Sequence, residues 1–235
     1  MKFQRQVMQI IQKIKEFIKD SSLNTDKLKI AIACSGGSDS MALVHCLITG
    51  KHHFFPYEIV VIHINHGWRG EESDGDQAFV EAYAKQHNVP CYSYKRPSTD
   101  KTISAEMEAS TQRKEVFKEW VDKGYTIFTA HNANDVLETM LWRLCDGKLS
   151  THDKGILIQT EDGQFRPFLT TTKEELQDFL ISEGQTWRED KTNADGKLMR
   201  SKLRMNVIPE LLKIYPQAIR KASREAVDKQ KKKQP

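Results

Sequence analysis

The sequence predicts an α/β fold, a parallel sheet with helices on both faces followed by a helical C-terminal part. Three observations predict it. Apolar runs of strand length, LKIAIAC, EIVVIHI, CYSY and YTIFTA, recur through the first half of the chain. Segments with helical spacing separate them, and regular alternation of strand and helix is the signature of parallel pairing with crossover helices. After Cys145 the alternation stops, and a loop with a short hairpin leads into helical patterns.

In chain order, Phe3, Val7, Ile10, Ile11, Ile14, Phe17 and Ile18 fall on one face of an amphipathic helix that should pack as a cover. A strand from Leu28 leads to a helix over Asp39 to Ile48. A strand from Glu58 leads to a helix over Ser73 to His87, one from Cys91 to a helix over Ser104 to Asp122, and one from Tyr125 to a helix over Asn134 to Leu144. Residues 146–170 read as a loop and a short hairpin around EDGQ. Helical segments follow at Thr172 to Glu183, Met199 to Ile214 and Pro216 to Gln230. The organisation expected is a covering helix over 1–27, an α/β core over 28–170, a helical part over 171–216 and a basic tail over 217–235. Ligands of such sheets bind at the carboxyl ends of the strands.

A chain of 235 residues, 38% hydrophobic and 29% charged, can bury a core. It contains no apolar run of membrane-spanning length, so the cytoplasm is the expected compartment, with no membrane partner. Cys34, Cys46, Cys91 and Cys145 form no close pair, which argues against a zinc knuckle or a disulfide framework. Charge is uneven. From Lys197 to Pro235 there are twelve Lys or Arg against three Asp or Glu, while the whole chain carries +4. Such a stripe suits phosphate or nucleic acid, and a solvated tail is the plainer account.

The first polar cluster, CSGGSDS, follows a strand and opens a helix. Backbone N–H groups converge there at the positive end of the helix dipole, and glycine admits close approach, so Ser35, Gly36, Gly37, Ser38 and Ser40 can cradle phosphate. Asp39 beside phosphate makes sense as a ligand of magnesium or as a helix cap. The chain contains neither GK[ST] nor GxGxxG, which excludes the two commoner nucleotide turns. A second cluster, HINHGWRG, puts His63, Asn65, His66 and Arg69 at the end of the second strand. A third, TAHNANDVLET, puts His131 at the end of the fourth, with Asp135 and Glu138 one helical turn apart. Near the end, Arg200 and Arg204 share a helix face, where salt bridges to acids and an RNA backbone contact are the two accounts.

CSGGSDS resembles the SGGxDS pyrophosphatase loop, or PP-loop, of enzymes that split ATP into AMP and pyrophosphate. HINHGWRG resembles the HxxHxxRG segment of the tRNA(Ile)-lysidine synthetase family, and TAHNANDVLET its AHxxxDxxET box. Glu106 and Arg113 keep part of a further pattern, FRPFL resembles an RPLL segment, and REDKTNADGKLMRSKLR resembles an EDxxNxDxxxxRxxxR ending. Where the family has RGxGxxGLxGM, this chain reads RLCDGKLSTHDKGIL and keeps only Gly147 and Gly155. The resemblance covers about Leu28 to Pro216.

The resemblance implies a Rossmann-like PP-loop fold and a ligase using ATP and Mg2+. That ligase activates C2 of the wobble cytidine in a CAU-anticodon isoleucine tRNA and exchanges AMP for free L-lysine. It implies Ser35 to Ser40, His63 and Asn65 at ATP, and Asp39 on magnesium. His66, Arg69 and Arg113 are implied at developing charge, Asp135 and Glu138 at lysine, His131, Asp135 or Glu138 as proton acceptor, and Arg200 and Arg204 at tRNA. A homodimer is compatible with it. The alternatives are a PP-loop tRNA cytidine thiolase, a non-catalytic ATP- and tRNA-binding relative, and an amide-forming synthetase of small molecules.

Overall fold

A computed structural model describes residues 2–21, 23–50, 57–95, 105–148, 155–189 and 199–232, without the side chains of 2–7 and 105–106. The strands are β1 (Leu28–Ala33), β2 (Tyr57–Asn65), β3 (Cys91–Lys95), β4 (Thr126–Phe128) and β5 (Gln164–Phe165). The helices are α1 (Lys2–Asp20), α2 (Ser38–Thr49), α3 (Glu71–Gln86), α4 (Ala105–Asp122), α5 (Ala133–Cys145), α6 (Lys173–Ser182), α7 (Met199–Lys202), α8 (Ile208–Ile214) and α9 (Ala218–Lys231). One π-helical stretch, Leu203–Val207, joins α7 to α8.

The strands lie in the order β3-β2-β1-β4-β5 with every neighbouring pair parallel. Side chains alternate across the sheet, as a two-residue period requires. Ile30, Ile32, Val61 and Phe128 face a core shared with α1, α2, α3 and α6; Ala31, Val60, Ile62 and Ile127 face Val116, Phe117 and Trp120 of α4. Helices α2 and α3 follow strands laid one way from β1, and α4 carries the chain back past β1 to β4. Right-handed crossovers therefore place α4 on the opposite face.

The covering role of α1 is visible in its buried residues Ile10, Ile11, Ile14 and Ile18, and Phe17 meets Phe128 and Phe165 edge-on. The hairpin around EDGQ is present: Thr160 N–H donates to Gln164 C=O at 2.9 Å and Arg166 N–H to Ile158 C=O at 3.0 Å. Its second arm also pairs with β4 and adds a fifth strand to the four that the sequence predicts. On the far side of α5, Leu137, Ile208 and Ile219 form a separate cluster that seats α8 and α9.

Strand order reverses between β1 and β4, which makes that gap the topological switch point. CSGGSDS leaves β1 and TAHNAND leaves β4, so the two motifs flank it.

Candidate functional site: two clefts at the switch point

The turn after β1 is built from its own hydroxyls. Ser40 Oγ donates to Gly37 C=O at 3.0 Å and accepts from Ser35 N–H at 3.1 Å, while Ser35 Oγ accepts from Gly37 N–H at 3.3 Å. Gly36 sits at φ +89°, where an L side chain is strained, and an added Cβ would meet Val80 and Arg188 at 3.5 and 3.6 Å. No side chain caps α2 at Gly37, whereas α5 and α6 each begin with a complete capping box. The first amides of α2 are thus left for an anion. Ser40 was expected at phosphate, yet its buried hydroxyl is spent within the turn; Ser38 Oγ reaches Asp39 at 3.3 Å.

Two cavities open beside this turn. One of about 700 Å³ is lined by Ser35, Gly37, Ser38, His63, Arg69 and Lys173 among others; the second, of about 420 Å³, holds Arg113, Thr129, His131 and Asp135. Ser35, Asp39, Ser40, Ile64 and His66 line both and form the wall between them.

Asp39 stands in this wall with its pKa pushed up to about 6. Burial is the main cause; Asp135 adds to it, and Lys173, the Ser38 hydroxyl and Arg204 oppose it. Burial likewise raises Asp135, against the Asn132 amide and the charges of Arg204, Lys173 and Arg200. Asp135 Oδ2 accepts from Asn132 N–H at 2.9 Å, closing the α5 cap. Two incompletely neutralised carboxylates beside uncapped amides fit a small divalent cation bridging Asp39 to phosphate, since magnesium takes one or two carboxylates and completes its shell with substrate oxygens and water. No cluster of three or more His, Cys, Asp or Glu suited to a metal occurs among the described residues, so such an ion would need those further oxygens.

The second motif is tied down by its own polar groups. His63 Nδ1 meets Cys34 C=O at 2.9 Å, and Asn65 binds Asp74, Gln77 and the Gly67 amide at 2.8–3.0 Å. Both side chains are buried and join β2 to its surroundings, and His63, Ile64 and Asn65 line the first cavity. His66 Nδ1 meets Gln112 Oε1 at 3.0 Å, and the ring stacks on the exposed indole of Trp68 at 4.9 Å. Arg69 pairs with Asp76 at 2.6 Å. Arg113 reaches the second cavity and has no hydrogen-bond or ion-pair partner among the described residues.

In the third motif, Glu138 is 5% exposed and held by both arms of Arg204, Nε to Oε1 at 2.6 Å and Nη2 to Oε2 at 2.7 Å. This fork raises the Arg204 pKa. Arg200 donates to Thr139 Oγ1 at 3.3 Å and lies 5.2 Å over Trp142. Of the two accounts given for these arginines, pairing with acids and an RNA backbone contact, the structure shows Arg204 on Glu138, a buried carboxylate that requires a cationic partner, and Arg200 beside it on α5. Glu138, expected at the lysine ammonium, has the Arg204 guanidinium in that place. Glu106 and residues 190–198 of the EDxxNxD stretch lie outside the described side chains, as do 149–154 of the altered loop and 233–235 of the tail.

Four residues given no role in the sequence reading complete the site: Asp76, Arg166, Lys173 and Arg188. Arg188 N–H donates to Gly36 C=O at 2.9 Å and its Nε meets Asp76 Oδ1 at 2.9 Å, so Asp76 joins Arg69 to a strap across the turn. Lys173, the first residue of α6, lines the first cavity. Arg166 meets His131 at 3.3 Å. Arg188 opens REDKTNADGKLMRSKLR and Arg166 stands in FRPFL, but nothing in either stretch points to the turn or to His131; the sequence signal for Lys173 is that it follows Thr172, the cap of α6.

Comparison with known proteins agrees with this geometry. A PP-loop domain matches residues 6–211. The tRNA(Ile)-lysidine synthase of Bacillus subtilis (strain 168) is 32% identical over 88% of this chain and 45% of its own length. That of Porphyromonas gingivalis (strain ATCC 33277) is 34% identical over 80% and 41%, and that of Bacteroides thetaiotaomicron 32% over 91% and 48%. The chain thus spans less than half the length of these curated relatives. In structure it is similar to the U34-tRNA thiolase NcsA from Methanococcus maripaludis with its [4Fe-4S] cluster. The TM-score is 0.76 at 14% identity, over 99% of this chain and 81% of that one. The NH3-dependent NAD synthetase from Campylobacter jejuni follows at 0.52 and 14%, over 100% and 98%. At such identity these two speak for the fold alone. With the turn, the switch point and a family match through most of its length in agreement, the chain belongs to the PP-loop family.

Proposed function

We propose that the chain is an ATP-dependent tRNA(Ile)-lysidine synthetase, or its catalytic core. The observation that carries this reading is the wall of Ser35, Asp39, Ser40, Ile64 and His66 between two cavities. A nucleotide in the larger cavity can present its α-phosphate to a base in the smaller one, with Asp39 at the junction. Membership of the PP-loop family implies ATP as that nucleotide, and the relatives named tRNA(Ile)-lysidine synthase support the RNA and lysine.

The uncapped amides of α2 and Lys173 hold the phosphates, while backbone at His63 to Asn65 meets the adenine end. Magnesium on Asp39 would screen the charge between phosphates and carboxylates. Arg113, unpaired at the second cavity among the described residues, is placed to stabilise charge on the activated cytidine. The oxygen of Asp135 not used in the α5 cap receives the lysine amine, and Glu138 joins it when Arg204 yields one of its two contacts. Cytosine O2 is a poor leaving group, and its adenylation lets lysine displace AMP from C2. The basic face of α9 takes the RNA backbone.

Incubation with ATP, magnesium, lysine and a CAU-anticodon isoleucine tRNA should release pyrophosphate and add the mass of lysine to cytidine in digested nucleosides. A sulfur-sized change, or product formation without RNA, would overturn the reading.

A further inference from the structure

His131 follows β4 and its ring lines the second cavity. Its Nδ1 has two neighbours: Thr129 Oγ1 at 3.1 Å and Arg166 Nε at 3.3 Å. A guanidinium only donates, so Nδ1 must offer its lone pair, and the proton of the neutral ring belongs on Nε2. Arg166 is not free to turn away. Its Nη1 donates to Leu157 C=O at 2.7 Å and its own amide to Ile158 C=O at 3.0 Å, both within the hairpin. Parallel pairing of β5 with β4 then brings it beside the end of β4, with Thr129 N–H donating to Phe165 C=O at 2.9 Å. His131 Nε2 has no hydrogen-bond partner among the described residues.

We propose that Arg166 is a positioning residue that fixes His131 as a neutral imidazole protonated on Nε2, so that His131 donates a hydrogen bond to a substrate oxygen in the second cavity and does not take the proton of the incoming amine. The electrostatics agree. Burial and the charges of Arg166, Arg113 and Arg200 push the His131 pKa down to about 3, and no cation forms there near neutral pH. With Asp39 assigned to the cation, Asp135 is the other carboxylate on that cavity and is able to accept the proton. The role in catalysis rests on the ligase reading above; the tautomer does not.

Nitrogen NMR of the free full-length protein, with labelled histidine, should show His131 as a single Nε2–H tautomer that does not titrate between about pH 5 and 8. In Arg166→Met the second tautomer or a titration in that interval should appear, and Arg166→Lys should restore part of the wild-type pattern. For the donor role, lysine transfer to pre-adenylated tRNA is followed in single turnover. His131→Gln keeps an N–H donor without a basic nitrogen and should stay within about tenfold of wild type, while His131→Ala should fall about 10²-fold. An Nδ1–H tautomer or a titrating wild-type ring would overturn the Arg166 assignment, and a Gln variant as slow as the Ala variant would overturn the donor role. A wild-type chain with the expected tautomer but no lysine transfer would remove the ligase reading and the donor role with it, while leaving the Arg166 assignment standing.

Discussion

Asp39 carries opposite demands of stability and function. Its folded pKa of about 6 lies above the ordinary value of 3.8, so it favours the folded state below about pH 4 and loses that contribution as pH rises through 6. Above pH 6 an ionised Asp39 works against folding. Asp39→Asn should therefore raise the stability of the ligand-free protein at pH 7.5, by up to about 3 kcal/mol in urea melts, while abolishing AMP formation. Equal or lower stability of the variant would show that its charge is already compensated. For wild type, affinity for magnesium and a non-hydrolysable ATP analogue should fall as Asp39 protonates below about pH 6. Glu138→Ala acts differently. It leaves ATP binding intact, deprives Arg204 of its fork and should raise the lysine KM at least about tenfold, since a charge-assisted contact contributes about 1.5–3 kcal/mol. Loss of ATP binding in that variant would remove Glu138 from the amine site.

At the scale of elements, α1, α2, α3 and α6 enclose one face of the sheet, and their packing should be steep in cost. Ile14 is fully buried, and Ile14→Ala should lose about 2–5 kcal/mol of stability in urea melts with catalytic constants little changed in what remains folded. The same interface contains His45, whose Nδ1 meets the Tyr83 hydroxyl at 2.5 Å and whose Nε2 meets Glu183 at 3.4 Å. Burial lowers the His45 pKa, with Glu183 opposing and His87 assisting. A lowered pKa means that stability is present above the ordinary 6.5 and is lost as pH falls below it, so wild type should weaken from pH 7 to pH 5 and His45→Phe should weaken less over that interval. Most of these elements were legible because their apolar spacing is long and regular. β5 was not: two residues carry no period, and Gln164–Phe165 becomes a strand only because β4 presents an edge to it. The site was legible where residues lie together in a motif, as in CSGGSDS. It was hidden where a partner comes from afar, as Arg204 does for Glu138 and Arg188 for Gly36. Nothing in the spacing of Arg200 and Arg204 distinguishes a face turned to RNA from one turned to α5.

Over the whole molecule, positive charge gathers in the last helices, whereas the phosphate turn lies at the end of the first strand. Part of that charge is neutralised internally: Arg220 pairs with Glu175, Lys229 with Glu225 and Lys231 with Asp20. Lys221 and Arg224 are exposed on α9, and their side chains have no hydrogen-bond or ion-pair partner among the described residues. Changing both to Glu should weaken tRNA binding, flatten the dependence of log Kd on log salt by about 0.7–0.9 for each phosphate no longer neutralised, and leave ATP binding unaltered. An unchanged slope would place the RNA on another surface. The strap from Arg188 to Gly36 has a further consequence, for the chain as it is made. The phosphate turn leaves the ribosome first, and its clasp emerges on the order of ten seconds later at ordinary elongation rates. Until then a nascent chain carries the motif with an unlatched turn, so nucleotide affinity should arrive only once the tether containing Arg188 has cleared the exit tunnel.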